Sequence, residues 1–232
     1  MFNFKGRVAV VTGASAGLGA HYAEVFAREG ANVAICARRL AKLEQVKEKV
    51  ESYGVECLAV ECDVTDADSV KNFVKATYEK FGKVDILVTN AGGGNCAPLT
   101  EIPDEAFFKT IDLDLIATVR CVKEFGREMI KAGYGRIITI GSSLACGGSM
   151  DMAISDYGTA KGGVVNFTRC AAAEWAKTGV TCNAICPGFF ASEANSPEAM
   201  EAMNGFITAR TPMGRPGRAG ELDTTVVFLA AH

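Results

Sequence analysis

The chain has 232 residues, 49% hydrophobic and 22% charged, enough to bury the core of one large α/β domain. Its net charge is −3 at pH 7 and no basic run exceeds Arg38-Arg39, which argues against a nucleic-acid partner and points to a small solute. No apolar run reaches the length of a membrane span and Met1 to Gly6 carries no targeting pattern, so the expectation is a cytoplasmic protein with no membrane partner.

Val8-Ala9-Val10-Val11 is a short apolar run, followed at once by Gly13-Ala14-Ser15-Ala16-Gly17-Leu18-Gly19 and a helical pattern from Ala20 to Glu29. Strand, glycine turn and helix in that order suit a phosphate. Glycines let backbone approach closely, and a helix N-terminus offers free N–H groups and a positive dipole end. The spacing is Gly-x-x-x-Gly-x-Gly rather than the commoner Gly-x-Gly-x-x-Gly. A tight structural turn is the competing reading, and the flanking strand and helix favour the phosphate. Asn32 to Ala37 is a second strand, with Arg38-Arg39 at its carboxyl end, where the ribose edge of a dinucleotide arrives. An acidic residue there would take a free 2′-hydroxyl, whereas an arginine fork suits a 2′-phosphate. NADP is therefore favoured through Arg38, with NAD left open; the alternative has both arginines merely solvating a loop.

Leu40 to Tyr53 carries Leu43, Val46 and Val50 at helical spacing, and Gly54 ends it. Val55 to Glu61 is a third strand. Beyond it Asp63 and Val64 either meet the adenine, or Asp63 caps the helix of Asp66 to Phe81. Val84 to Val88 reads as a buried parallel strand. Asn90-Ala91-Gly92-Gly93-Gly94 follows, small enough to admit a ligand or to make a tight turn. Pro103 to Ala132 reads as one long helix whose oddity is the acid pair Asp112 and Asp114.

Arg136 to Ile140 is a fifth strand, closing at Gly141-Ser142-Ser143. The helix of Ser155 to Lys177 opens with Tyr157 and Lys161, four residues apart and so on one face. A phenol titrates near ~10 when unperturbed, and a neighbouring ammonium favours the phenolate, which moves a tyrosine towards acid–base work near neutrality. Alone, the pair is more often a solvated helix face. Val164, Val165, Phe167 and Trp175 are assigned to packing or a subunit contact. Val180 to Ile185 is a sixth strand, leaving through Cys186-Pro187-Gly188. Residues 189–218 form the expected substrate lid, helical in part over Ala191 to Arg210, before a last helix at Glu221 to Ala231.

Six alternations of strand and helix predict an α/β fold. The expected form is a doubly wound parallel sheet of Rossmann type, three-layer αβα, in a single domain over 1–232 with ligands at the strands' carboxyl edge. The nine cysteines are scattered with no Cys-x-x-Cys and read as core thiols in a reducing compartment. Cys182 and Cys186 would lie about 13 Å apart along a strand, too far to bridge. His21 and His232 are the only histidines, so neither a Ser-His-Asp triad nor a histidine-rich metal site has the material, and no metal is expected.

Thr12 to Gly19, Asn90-Ala91-Gly92, Ser142, Tyr157-Gly158-Thr159-Ala160-Lys161 and Pro187-Gly188 occur in this order over nearly the whole chain. Together they resemble the short-chain dehydrogenase/reductase family. That resemblance implies a nicotinamide dinucleotide interconverting a secondary alcohol and a ketone. Tyr157 would exchange the hydroxyl proton, Lys161 would hold the nicotinamide ribose and lower the phenol pKa, and Ser142 would hydrogen-bond the substrate oxygen where charge develops. It further implies cofactor contacts from Gly13, Ser15, Gly17, Leu18, Gly19, Arg38, Asp63, Val64, Asn90, Ala91, Gly92, Tyr157, Lys161, Pro187 and Gly188. The implied partners are a small-molecule ketone or alcohol and further copies of the chain, as a dimer or tetramer.

Within the family the gluconate 5-dehydrogenase and 3-oxoacyl-carrier-protein reductase types stand nearest, and a hydroxysteroid dehydrogenase stays open. Three departures qualify the resemblance. Asp114 stands where the family usually has an asparagine that holds a proton-relay water; its charge would either raise the Tyr157 pKa or pair with Lys161. Counting along the strand selects Ser142, while counting back from Tyr157 comes closer to Ser143, and strand register favours Ser142. The sequence stops at His232, where relatives continue into a last strand. Phe189, Phe190, Met200, Met203 and Phe206 make the lid apolar, which leans away from a small sugar acid. A second functional class stands beside the enzyme: a nucleotide-binding regulatory or scaffold protein with little turnover, suggested by Asp114.

Overall fold

Val8–Thr12 (β1) is buried at every position, as an unbroken apolar strand must be when both faces of its sheet are covered. In the computed structural model, which describes residues 2–149, 152–190, 204–205, 207–218 and 220–231, five further strands follow. These are β2 (Asn32–Ala37), β3 (Cys57–Glu61), β4 (Ile86–Thr89), β5 (Gly135–Ile140) and β6 (Val180–Ile185). All six pair in parallel in the order β3-β2-β1-β4-β5-β6. Val10 faces Ala34 on one side and Leu87 on the other, so the strand order reverses between β1 and β4. A ligand crevice opens outside the carboxyl ends at such a switch point.

The sheet is flanked by helices α1 (Gly17–Arg28), α2 (Leu40–Glu51), α3 (Ala67–Phe81), α4 (Asp104–Ile111), α5 (Ala117–Ala132), α6 (Ser155–Glu174) and α7 (Asp223–Ala230), and residues 204–205 and 207–210 are helical as well. Alternating strand residues feed two apolar clusters. Ala9, Val11 and Ile35 pack against Tyr22, Phe26, Leu43 and Val226 of α1, α2 and α7. Val10, Ala34 and Leu87 pack against Phe73, Phe125 and Ala171 of α3, α5 and α6. This is the three-layer αβα arrangement. Phe73 and Phe125 meet edge to face at 5.7 Å, a contact worth about 0.5–1.5 kcal/mol beyond burial. Val164 and Val165 are buried, and Phe167 and Trp175 pack against the cluster built on Val10, Ala34 and Leu87.

Three expectations need correction. The helix predicted across Pro103 to Ala132 is interrupted by a π-helical turn at Asp112–Ile116, where the Ala117 N–H reaches back five residues to the Asp112 carbonyl. Apolar spacing of three to four continues through it, so periodicity alone does not reveal the extra residue. The cap of α3 is Asp66, whose carboxylate accepts from the N–H groups of Asp68 and Ser69; Asp63 instead accepts from Thr65 N and Oγ1. Of the expected lid, residues 191–203 and Phe206 lie outside the described residues, Met200 and Met203 among them. Phe190 forms an isolated bridge with Gly217. All nine cysteines are free, but they are not all core thiols as expected: Cys96, Cys146 and Cys170 are exposed.

Candidate active site

A cavity of about 580 Å³ runs along the carboxyl edge of the sheet, from Arg38 and Arg39 past the glycine loop to Ser142, Tyr157 and Lys161. The loops beyond the strands' carboxyl ends place most of the residues that line it, and α6 and the π-helical turn add Tyr157, Lys161 and Asp114. Of the predicted site residues only Gly19 does not line it. A Cβ there would come 2.5 Å from Asn90 Nδ2 and the Gly13 carbonyl, so its lack of a side chain serves loop packing.

At the glycine-loop end, Gly13 adopts φ +65° and its missing Cβ would sit 2.7 Å from the Ala91 Cα. Only glycine permits that approach. Asn90 stitches the two loops: its Nδ2 donates to the carbonyls of Thr12 and Gly13, both at 3.3 Å, and its N–H donates to Thr12 Oγ1 at 3.1 Å. The N-terminus of α1 therefore opens into the cavity behind a hydrogen-bonded loop, and a helix start carries orphan N–H groups that favour an anion. Arg39 donates to Ser15 Oγ from Nε at 3.3 Å and Nη2 at 2.8 Å. Arg39, not among the residues expected from the sequence, lines the cavity beside Arg38; the Arg38-Arg39 doublet is its only sequence signal. Burial works to raise the Asp63 carboxyl, but the Thr65 hydrogen bonds and the charges of Arg38 and Arg120 hold it below its ordinary value. Arg120 also donates to the Val64 carbonyl at 2.7 Å, fixing that wall.

At the other end Ser142, two residues beyond the last residue of β5, is buried and caps the short turn that follows, its Oγ accepting the Leu144 N–H at 3.2 Å. Ser143 is exposed and does not line the cavity, so the geometry sides with Ser142. Tyr157 and Lys161 project from successive turns of α6, Lys161 Nζ lying 5.6 Å from the Tyr157 ring centroid. Lys161 is 4% exposed and donates to the Ile140 carbonyl at 2.9 Å.

The π-helical turn aims Asp114 inward to complete burial, with Oδ1 3.0 Å from Lys161 Nζ and Oδ2 accepting the Gly93 N–H at 3.0 Å. The ion pair with Lys161 that its charge made available is formed. Burial pushes the Asp114 carboxyl above its ordinary value, and the Lys161 charge and Gly93 N–H offset this only in part. The Asp114 backbone carbonyl accepts from Thr118 Oγ1 at 2.8 Å.

A network that no sequence signal announced stands beside these groups. Asp156, 1% exposed, accepts from Thr110, Asn95 and the Tyr157 N–H. His21 takes no part in the site and pairs with Asp223 at 2.6 Å. Among the described residues no cluster of three or more His, Cys, Asp or Glu could hold a metal, and no helix is long and apolar enough to cross a membrane.

Known proteins share this architecture. A family model described as short chain dehydrogenase matches residues 7–202. The 3-oxoacyl-acyl-carrier-protein reductase of Staphylococcus aureus is 34% identical over 224 residues, covering 96% of this chain and 90% of that protein. Cis-4-hydroxycyclohexanecarboxylate dehydrogenase of Sinomonas cyclohexanicum is 37% identical over 231 residues, covering 98% and 90%. A crystal structure of an actinorhodin polyketide ketoreductase with NADPH superposes with a TM-score of 0.90 at 31% identity, covering 100% of this chain and 92% of that one.

Proposed function

Because the chain belongs to the short-chain dehydrogenase family of NAD(P)-dependent oxidoreductases, we propose that it interconverts a secondary alcohol and a ketone with NADP, Tyr157 exchanging the hydroxyl proton. The observation that carries this reading is one continuous crevice holding a phosphate-type glycine loop at one end and Ser142, Tyr157 and Lys161 at the other.

The residues fit a dinucleotide. The Gly13 cradle has no room for a Cβ, so backbone there can approach a pyrophosphate, with Ser15, Gly17 and Leu18 opening the helix behind it. Arg38 and Arg39 would hold the 2′-phosphate. Asp63 and Val64 would border the adenine; Asn90 to Gly92, Pro187 and Gly188 would border the nicotinamide half. When bound, the cofactor supplies or accepts the hydride.

The chain's own groups handle the proton. Ser142 Oγ accepts from Leu144 N, which leaves its O–H to donate to a substrate oxygen. Lys161 has three N–H donors; one serves the Ile140 carbonyl and one Asp114, which leaves the third for the ribose or the phenol. The nine free thiols suit a reducing compartment and hence the cytoplasm. Exposed Phe108 and Ile116 offer a contact to a second copy of the chain.

The test is a panel of cyclic ketones, 3-oxo esters and keto sugars offered with NADPH or NADH. Turnover with NADPH is expected, and Tyr157→Phe should lower kcat by about 10²- to 10⁴-fold. Full turnover by Tyr157→Phe overturns the assignment. NADPH binding without reduction of any ketone would favour a nucleotide-binding regulatory protein.

A further inference from the structure

Asp156 is a carboxylate with almost no solvent contact, one residue before Tyr157, and the chemistry above does not use it. Its Oδ2 accepts from Thr110 Oγ1 at 2.7 Å, Asn95 Nδ2 at 3.3 Å and Asn95 N at 3.4 Å; its Oδ1 accepts the Tyr157 N–H at 2.7 Å. Asn95 Nδ2 also donates to Thr110 Oγ1 at 3.1 Å, closing the ring of bonds. Three segments far apart in the chain thus converge on one carboxylate: the loop after β4, helix α4 and the first turn of α6. The N-terminal turn of a helix favours a negative charge. Burial works to raise the Asp156 carboxyl, but the hydrogen bonds from Thr110, Tyr157 and Asn95 together hold it below its ordinary value.

The neighbours on both sides give this ring its meaning. Gly94, next to Asn95, lies so close to Tyr157 that a Cβ on it would sit 2.7 Å from the Tyr157 Cβ. Gly93, on its other side, gives its N–H to Asp114, the partner of Lys161. The loop of residues 93–95 is therefore tied at one end to the lysine's counter-ion and at the other to the tyrosine's neighbour, with its middle resting on the phenol ring.

We propose that Asp156, with Thr110 and Asn95, is a positioning residue that sets the Tyr157 ring against the loop after β4 and so fixes where the phenolic oxygen meets substrate. The inference rests on Tyr157 as the acid–base group. Removing the clamp leaves the nucleotide half of the crevice intact, since none of its three members lines the cavity.

The experiment compares Thr110→Val, Thr110→Ser and Asp156→Asn. The substrate is ethyl acetoacetate or whichever panel ketone turns over fastest. Thr110→Val deletes the donor at nearly constant shape and should lower kcat about 10- to 100-fold, the scale of a small misplacement of a reacting group. NADPH affinity, read by fluorescence quenching, should be unchanged, and Thr110→Ser, which keeps the hydroxyl, should restore kcat. Amide hydrogen exchange across residues 93–95 should speed up in Thr110→Val and return in Thr110→Ser, a readout that needs no turnover. Should Asp156→Asn fail to fold, the threonine pair decides alone. Folded Thr110→Val with wild-type kcat and wild-type exchange overturns the proposal. Inactive Tyr157→Phe beside unaffected clamp variants removes only the clamp, whereas active Tyr157→Phe removes the catalytic reading and the clamp with it.

Discussion

Alanine at position 94 would place a methyl group 2.7 Å from the Tyr157 Cβ and 3.0 Å from Cδ2, where ordinary contact begins at 3.4 Å. Relieving it requires ring and loop to part by roughly 0.7–1.3 Å before the repulsion is gone. Gly94 does not have a positive φ, so the perturbation is contact, not backbone strain. The loop cannot retreat freely, because Gly93 N–H is held by Asp114 and Asn95 by Asp156. A displacement of ~1 Å at a reacting group costs up to about 10²-fold in rate, and overpacking costs about 1–3 kcal/mol of stability. Gly94→Ala is therefore expected to lower kcat about 10²-fold with NADPH affinity retained. Steady-state kinetics followed by NADPH absorbance, with cofactor binding followed by fluorescence quenching, reads both. Gly162→Ala serves as the control on the same helix as Tyr157, since its new Cβ meets only the Ala145 carbonyl at an ordinary 3.9 Å. A folded Gly94→Ala enzyme with wild-type kcat would refute the reasoning.

Asp114→Asn tests the buried pair through pH. Because burial raises the folded-state pKa of Asp114 above its ordinary 3.8, the folded chain holds that proton more tightly than the unfolded one. The group's contribution to stability is then fully present below that value and is lost as pH rises through the raised folded value. The stability of the wild type relative to Asp114→Asn should fall across that window in urea unfolding; parallel pH curves would show that Asp114 does not titrate this way. Arg38→Asp should weaken NADPH by about 1.5–3 kcal/mol, tenfold or more, through the lost charge-assisted bonds. An unchanged ratio of NADPH to NADH efficiency removes Arg38 from cofactor choice. Phe125→Ala, at a fully buried site in edge-to-face contact with Phe73, should cost about 3–5 kcal/mol in guanidinium unfolding; a loss under about 1 kcal/mol would show that α3 and α5 collapse onto the gap.

The elements that bear the crevice are legible because their signals are local. Val8 to Val11 is apolar throughout and runs into glycines, which suffices for a buried strand and a phosphate-type turn. Tyr157 and Lys161 share a helix face by spacing alone, and every predicted site residue except Gly19 reached the wall of one cavity. What the residues touch was not legible. Helical periodicity is read from side chains, whereas the π-helical turn at Asp112–Ile116 is a shift in backbone hydrogen-bond register that leaves the apolar spacing intact. That shift turned Asp114 onto Lys161, where composition allowed equally a charge facing Tyr157. Asp63 and Asp66 are both eligible caps by type, and only the path of the chain into α3 chose Asp66. Asn95, Thr110 and Asp156 carry no mark that joins them, because a hydrogen bond between segments up to 61 residues apart depends on how α4 and α6 dock and not on either local sequence. The sequence by itself thus determined the strands, the glycine loop and the Tyr157–Lys161 face, all set by neighbours within a turn or two. The tertiary structure alone decided the partners of Lys161, Ser15 and Asp156, since each pairs groups that only the closed sheet brings within bonding distance.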